Sequence, residues 1–156
     1  MNRTEAVGTV LSRAGIERLK LTHRYHILDF MTPAPAQGVV AVTAQVNGPN
    51  FLKDILQEIN HEPTAQLVWM ERLLMRHLNA GCSSPLGIHA KTDDGFLYME
   101  AVLLSPDGTQ TLKANLKLPE NSSQDALEKE IIRMSESLFE QGAKKLINEI
   151  RSQSNG

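Results

Sequence analysis

Apolar residues recur along the chain with two periods, and the switch between them marks out the elements. Over residues 5–19, Val7, Val10, Leu11, Ala14 and Leu19 follow a helical period, which Gly8 and Gly15 each weaken by up to about 1 kcal/mol relative to Ala. Residues 31–38, Met-Thr-Pro-Ala-Pro-Ala-Gln-Gly, read as a turn or hinge, because each proline pushes the residue before it towards extended geometry. The β-branched stretch 39–46, bounded by Gly38 and Asn47-Gly48, predicts a strand whose near-continuous apolar character implies burial on both faces. Phe51, Leu52, Ile55, Leu56 and Ile59 then return to helical spacing, with Asn50 as the expected N-cap. Pro63 suits the first turn of a second helix, along which Leu67, Met70, Leu74 and Leu78 lie in one stripe and which Gly81 can end.

Residues 86–90, 96–104 and 111–118 predict a three-stranded meander, separated by the turn sequences Asp93-Asp-Gly95 and Ser105-Pro-Asp-Gly108. Leu112, Ala114, Leu116 and Leu118 alternate with polar neighbours, so one face of the sheet needs a cover. Helical spacing of Leu127, Ile131, Met134 and Leu138, a break at Gly142, and Leu146, Ile147 and Ile150 beyond it supply that cover. The fold class is α+β: a three-stranded antiparallel sheet covered by helices, preceded by a partial α/β hinge segment.

Composition narrows the function classes. With 16 Lys+Arg against 18 Asp+Glu in 156 residues the net charge is −2, which gives no basic footprint for nucleic acid or for an anionic membrane surface. No apolar run approaches the ~20 residues that cross a bilayer, and charged residues interrupt every stretch that might act as a signal peptide core. These features point to a cytoplasmic protein. The single cysteine, Cys82, fits a reducing compartment and excludes an internal disulfide. It lies in a loop just past a helix, whose negative end disfavours a thiolate while Arg72, Arg76 and His77 on the preceding turns oppose that effect. Redox or protease chemistry at Cys82 is therefore disfavoured. The histidines, including His23 and His26 three residues apart, show no metal-binding spacing, so no metal is expected. Glu71 and Arg72 read as solvated or structural ion-pair residues.

Several ordered motifs carry a family resemblance over nearly the whole chain. They are Ala14-Gly-Ile-Glu-Arg-Leu19, Pro33-Ala-Pro-Ala-Gln-Gly38, Glu71-Arg72 with Asn79-Ala-Gly-Cys-Ser-Ser-Pro-Leu-Gly87, then Ser105-Pro-Asp-Gly108 and Gly142-Ala143. Together they resemble the C-terminal half of porphobilinogen deaminases, also called hydroxymethylbilane synthases. That resemblance implies an enzyme of porphyrin and haem biosynthesis, a transferase that condenses porphobilinogen into a linear tetrapyrrole. It implies a dipyrromethane cofactor joined by a thioether to Cys82, with Gly81, Ser83, Ser84, Pro85 and Gly87 shaping the attachment loop and Gln37 and Gly38 in the hinge.

The chain departs from the family pattern at Ala36, Thr43, Gln45, Asn79, Ala80 and Ser83-Ser84. By resemblance, residues 1–48 are a residual helix, hinge loop and strand of upstream domains, and residues 49–156 are the cofactor-attachment domain. The family's catalytic aspartate and most of its substrate-holding arginines lie upstream of the matching region, so no catalytic residue is assigned here. A truncated or split enzyme is expected, acting with a partner chain that supplies the missing N-terminal domains; porphobilinogen and the growing tetrapyrrole are its other expected partners. The alternative is a non-catalytic binding or interaction module that retains the fold.

Overall fold

A computed structural model of the protein describes residues 8–22, 24–81 and 84–154. The elements in chain order are α1 (Arg13–Arg18), α2 (Asn50–Ile59), α3 (Glu62–His77), β1 (Leu86–Asp93), β2 (Phe96–Leu104), β3 (Thr111–Pro119), α4 (Gln124–Glu140) and α5 (Ala143–Ser154). The strands form one antiparallel sheet in the order β1-β2-β3, with Ala90 opposite Met99 and Met99 opposite Leu116. The expected α+β class with a helix-covered meander is what the chain adopts.

Alternation places Leu86, Ile88 and Ala90 of β1, and Leu97, Met99, Ala101 and Leu103 of β2, on one buried face. Met70, Leu74 and Leu78 of α3, with Leu127, Ile131 and Leu138 of α4, pack over that face, and Leu146 and Ile147 of α5 complete the cluster. Each fully buried Leu or Ile here contributes about 1.5–3 kcal/mol by leaving water. The opposite face is solvated: Lys117 Nζ lies 4.1 Å from the Phe96 ring centroid and 5.1 Å from that of Tyr98.

Turn chemistry fixes the meander. Asp94 and Gly95 have φ of 48° and 75°, the left-handed pair that a tight two-residue hairpin requires. In the second turn Asp107 Oδ1 accepts from the Ser105 hydroxyl at 2.5 Å, the Thr109 N–H at 3.1 Å and the Thr109 hydroxyl at 2.8 Å. The helices are delimited by their caps: Ser123 Oγ accepts from the Ala126 N–H at the start of α4, and Gly142, at φ 105°, separates α4 from α5.

Each free edge of the sheet is met at particular residues by groups from outside it. On β3 the Gln141 side chain takes the Lys113 N–H with Oε1 at 3.3 Å and gives its own Nε2–H to the Lys113 carbonyl at 3.1 Å. On β1 the Ile88 N–H donates to the Pro33 carbonyl at 2.9 Å, and the Ala90 N–H donates to Glu71 Oε1 at 2.7 Å. These ladder groups are thereby withheld from edge-to-edge pairing.

Expectations for the segments before α3 fail in three places. The N-terminal helix is shorter than 5–19: residues 1–7 lie outside the described residues, and α1 begins only after the Ser12 cap, with no buried residue. Residues 39–46 form no strand, and Val40 and Val46 are 88% and 87% exposed instead of buried on both faces. Among the described residues no strand lies alongside them, so their backbone groups have no ladder to join. Asn50 is the first residue of α2 and not its N-cap; Pro49 holds the cap position without a side-chain hydrogen bond. The amphipathic stripe of α2 is present, but Phe51, Ile55 and Ile59 remain largely exposed.

The Ser105–Asp107 turn has a pH signature. The Ser105 hydroxyl, then the Thr109 N–H and hydroxyl, hold the Asp107 carboxyl down at about 2 against the usual 3.8. A group depressed on folding stabilises above its unfolded value, so this contribution is complete above pH 3.8 and is lost as pH falls through about 2. An NMR titration of Asp107 should show a midpoint near 2, and Ser105→Ala should move it up towards 3.8.

Candidate functional site

The loop expected to present Cys82 runs between two fixed points. At its start α3 ends in a Schellman arrangement: the Asn79 N–H donates to the Arg76 carbonyl at 2.9 Å and the Ala80 N–H to the Met75 carbonyl at 3.2 Å. Asn79, at φ 50°, takes the left-handed position, so the helix stops there and not at Gly81. Asn fills that role because its short polar side chain tolerates the left-handed region better than most non-glycine residues. At the far end the Ser84 N–H donates to the Gly81 carbonyl at 3.0 Å, and the Leu104 N–H donates to the Pro85 carbonyl at 3.1 Å, which extends the β1-β2 ladder back to Pro85. Cys82 and Ser83 lie outside the described residues.

Gly81 is exposed, and a Cβ built there would meet nothing within 4 Å. The Ser84 hydroxyl oxygen is buried and has no hydrogen-bond partner among the described residues. A buried hydroxyl in that state is normally explained by a group that completes it.

The hinge is a pair of linked turns. The Gln37 N–H donates to the Ala34 carbonyl at 3.1 Å across Pro35 and Ala36, and the Val39 N–H donates to the Ala36 carbonyl at 3.2 Å across Gln37 and Gly38. Pro35 supplies the fixed φ of the first central position, and Ala36, at φ 60°, takes the second, which ordinarily demands glycine. Gly38, at φ 85°, meets the same demand in the second turn without strain. Gln37 also folds back, its Oε1 accepting from the Ala34 N–H at 3.1 Å.

Glu71 joins the hinge to the sheet. Only 5% exposed on the face of α3 that packs inward, it accepts the Ala36 N–H on Oε2 and the Ala90 N–H on Oε1, each at 2.7 Å. His89 Nδ1 lies 3.8 Å from Oε1. One carboxylate thus satisfies a donor from the left-handed hinge residue and a donor from the free edge of β1. Beside it Gly87 lets the hinge chain come down: a Cβ at Gly87 would stand 2.4 Å from the Thr32 carbonyl oxygen and 2.9 Å from Thr32 Cβ. The chain leading into the hinge therefore makes a close backbone approach at Gly87. Thr32 is held from the other side too, its hydroxyl donating to Glu100 Oε1 at 3.1 Å.

The structure brings the hinge residues Gln37 and Gly38, Glu71 and Gly87 into one assembly, while Gly81, Ser84 and Pro85 belong to the neighbouring α3-to-β1 loop. Reading Glu71 as an ion-pair residue missed its role. The signal was available, because Glu71 shares the 67, 70, 74, 78 stripe, where a carboxylate at a core position needs internal donors. Arg72, by contrast, is exposed.

Fold and site define an α+β domain that presents a helix-to-strand loop and is clamped to a preceding hinge. Residues 65–138 match the family model "Porphobilinogen deaminase, C-terminal domain", and residues 1–53 match "Porphobilinogen deaminase, dipyromethane cofactor binding domain". Similar proteins, each named porphobilinogen deaminase, include one from Limosilactobacillus reuteri (strain DSM 20016), 36% identical over 125 residues, covering 77% of this chain and 40% of the relative. One from Chlorobium luteolum is 31% identical over 145 residues, covering 91% and 46%, and one from Synechococcus elongatus is 31% identical over 144 residues, covering 90% and 43%. The chain belongs to the porphobilinogen deaminase family, a family of tetrapyrrole biosynthesis whose cofactor is dipyrromethane. It spans less than half the length of the curated relatives it matches.

The described residues of the loop leave room for such a group, with open space where a Cβ would stand at Gly81 and a Ser84 hydroxyl that has no hydrogen-bond partner among the described residues. Two substitutions test the clamp. Glu71→Ala strands one buried and one partly buried N–H group and should cost roughly 3 kcal/mol in chemical denaturation, with Ala36 and Ala90 losing amide protection first. Gly87→Ala should cost about 1–3 kcal/mol through the forced displacement of Thr32, read as faster exchange at the Ile88 amide that Pro33 now covers.

Proposed function

We propose that this chain carries a dipyrromethane primer on Cys82 and serves as the attachment domain of a hydroxymethylbilane synthase, with residues 1–48 as the hinge and remainder of upstream domains. The observation that supports this most is the Gly81–Pro85 loop, anchored at both ends and lying within the stretch matched by the family's C-terminal domain. In this reading the Cys82 thiol holds the group, Ser83 and Ser84 donate hydrogen bonds to it, Gly81 leaves it room, and Pro85 and Gly87 limit the loop's travel. When bound, the dipyrromethane supplies the terminal pyrrole position to which porphobilinogen units are added.

Thioether formation asks little of the protein. The sulfur bonds the aminomethyl carbon of porphobilinogen, and the nitrogen leaves as ammonia, taking up the thiol proton. A bond made once and kept requires an accessible thiol on a positioned loop and no sustained thiolate. Condensation itself needs acid–base and carboxylate-binding groups that the family places upstream of the matching region. A cytoplasmic location accords with this role, and among the described residues no helix is long and apolar enough to cross a membrane.

Intact-mass spectrometry after exposure to porphobilinogen or preassembled tetrapyrrole, with and without a partner bearing the N-terminal domains, should show an adduct on the wild-type chain and none on Cys82→Ser. Absence of an adduct in every case would sink cofactor carriage. Partner binding that Cys82→Ser leaves intact, without any adduct on the wild type, would instead favour a non-catalytic interaction module.

A further inference from the structure

Arg151 sits in the last turn of α5 and is half-buried, and its Nη2 donates to the backbone carbonyl of Asn79, 72 residues earlier in the chain. That carbonyl lies just beyond the end of α3, where outward-facing carbonyls lack intrahelical partners and carry partial negative charge. Arg76 and His77, the basic residues of α3's own last turn, are exposed, and no described hydrogen bond links them to this carbonyl. Asn79 is itself a non-glycine residue at φ 50°, a conformation that persists when its surroundings fix it. The Schellman bonds fix it from the helix side, and Arg151 fixes it from the side of α5. Burial of Leu146, Ile147 and Ile150 locks α5 onto the core, so the guanidinium acts from a rigid support.

We propose that Arg151 is the positioning residue for the Cys82 loop: it holds the Asn79 carbonyl and so sets the direction in which Ala80 and Gly81 leave α3. The consequence for loading rests on the reading of Cys82 as the attachment residue, whereas the hold on the loop does not. Guanidinium geometry matters here because its planar fork presents donors in fixed directions, which an ammonium does not.

Hydrogen exchange on the full chain measures the hold directly. In Arg151→Ala the amides of Ala80 and Ser84 should exchange about tenfold faster, as expected for losing one hydrogen bond from a charged donor, while β2 amides keep their rates. Arg151→Lys should recover part of the difference, and Arg133→Ala, which removes an exposed guanidinium bonded to Glu130 on α4, should change neither amide. Unchanged exchange at Ala80 and Ser84 in Arg151→Ala overturns the inference, and so does an equal rise throughout β2, which would make Arg151 a general stabiliser. Loading on Cys82 is measured in parallel with preassembled tetrapyrrole. If the wild type loads and Arg151→Ala loads at the same rate, the positioning role is overturned; if the wild type does not load, the proposed function fails while exchange still decides the hold on the loop.

Discussion

The Glu71 carboxylate is the constraint on which the arrangement of hinge and sheet depends. A buried carboxylate is costly unless donors surround it, and here the donors come from two segments far apart in sequence, the Ala36 turn and the edge of β1. Neither N–H has a partner in its own local structure. The Ala36 N–H and the Ala90 N–H on the free edge of β1 both turn to the carboxylate, so each segment needs it as much as it needs them. The result is a joint that fixes the hinge turn against the sheet without any regular ladder between them.

That joint also explains why glycine stands at 87 and why alanine is tolerated at 36. Thr32 and Pro33 must lie close enough for the Pro33 carbonyl to cap Ile88, and this leaves no space for a Cβ on Gly87. Ala36 is held in the left-handed region by two turn hydrogen bonds and by Glu71, which together offset a cost of about 1–2 kcal/mol for a residue with a side chain there. Protection of the sheet follows the same logic at its other border, where Gln141 closes α4 and covers Lys113 with one amide group. A three-stranded sheet with one wet face is blunted at both edges, because Lys113 on β3 and Ile88 and Ala90 on β1 bond to groups from outside the sheet.

The α3-to-β1 loop is fixed at its two flanks. The reversal of α3 at Asn79 and the pairing of Pro85 with Leu104 leave a short span between them, and Cys82 falls in that span. Exposed Val40 and Val46 mark the opposite condition, a segment with strand character and nothing beside it to pair with.

Period and turn chemistry were enough to read the meander, the α4–α5 cover and most of α3, because those signals are local: alternation for strands, the 3.6 repeat for helices, Asp94-Gly95 and Gly142 for reversals. Ordered motifs were likewise enough to place the chain in its family. Pairing across distance was not legible. Residues 39–46 have the composition of a strand, but a strand exists only with a neighbour to bond, and composition does not supply one. Asn79 rather than Gly81 ends α3 because asparagine tolerates the left-handed region and the Schellman bonds close there, two residues before the glycine. Glu71 showed in the sequence only as a charge in an apolar stripe; that its two oxygens would meet Ala36 and Ala90 depended on how the hinge folds over the edge of β1, which is a property of three segments at once.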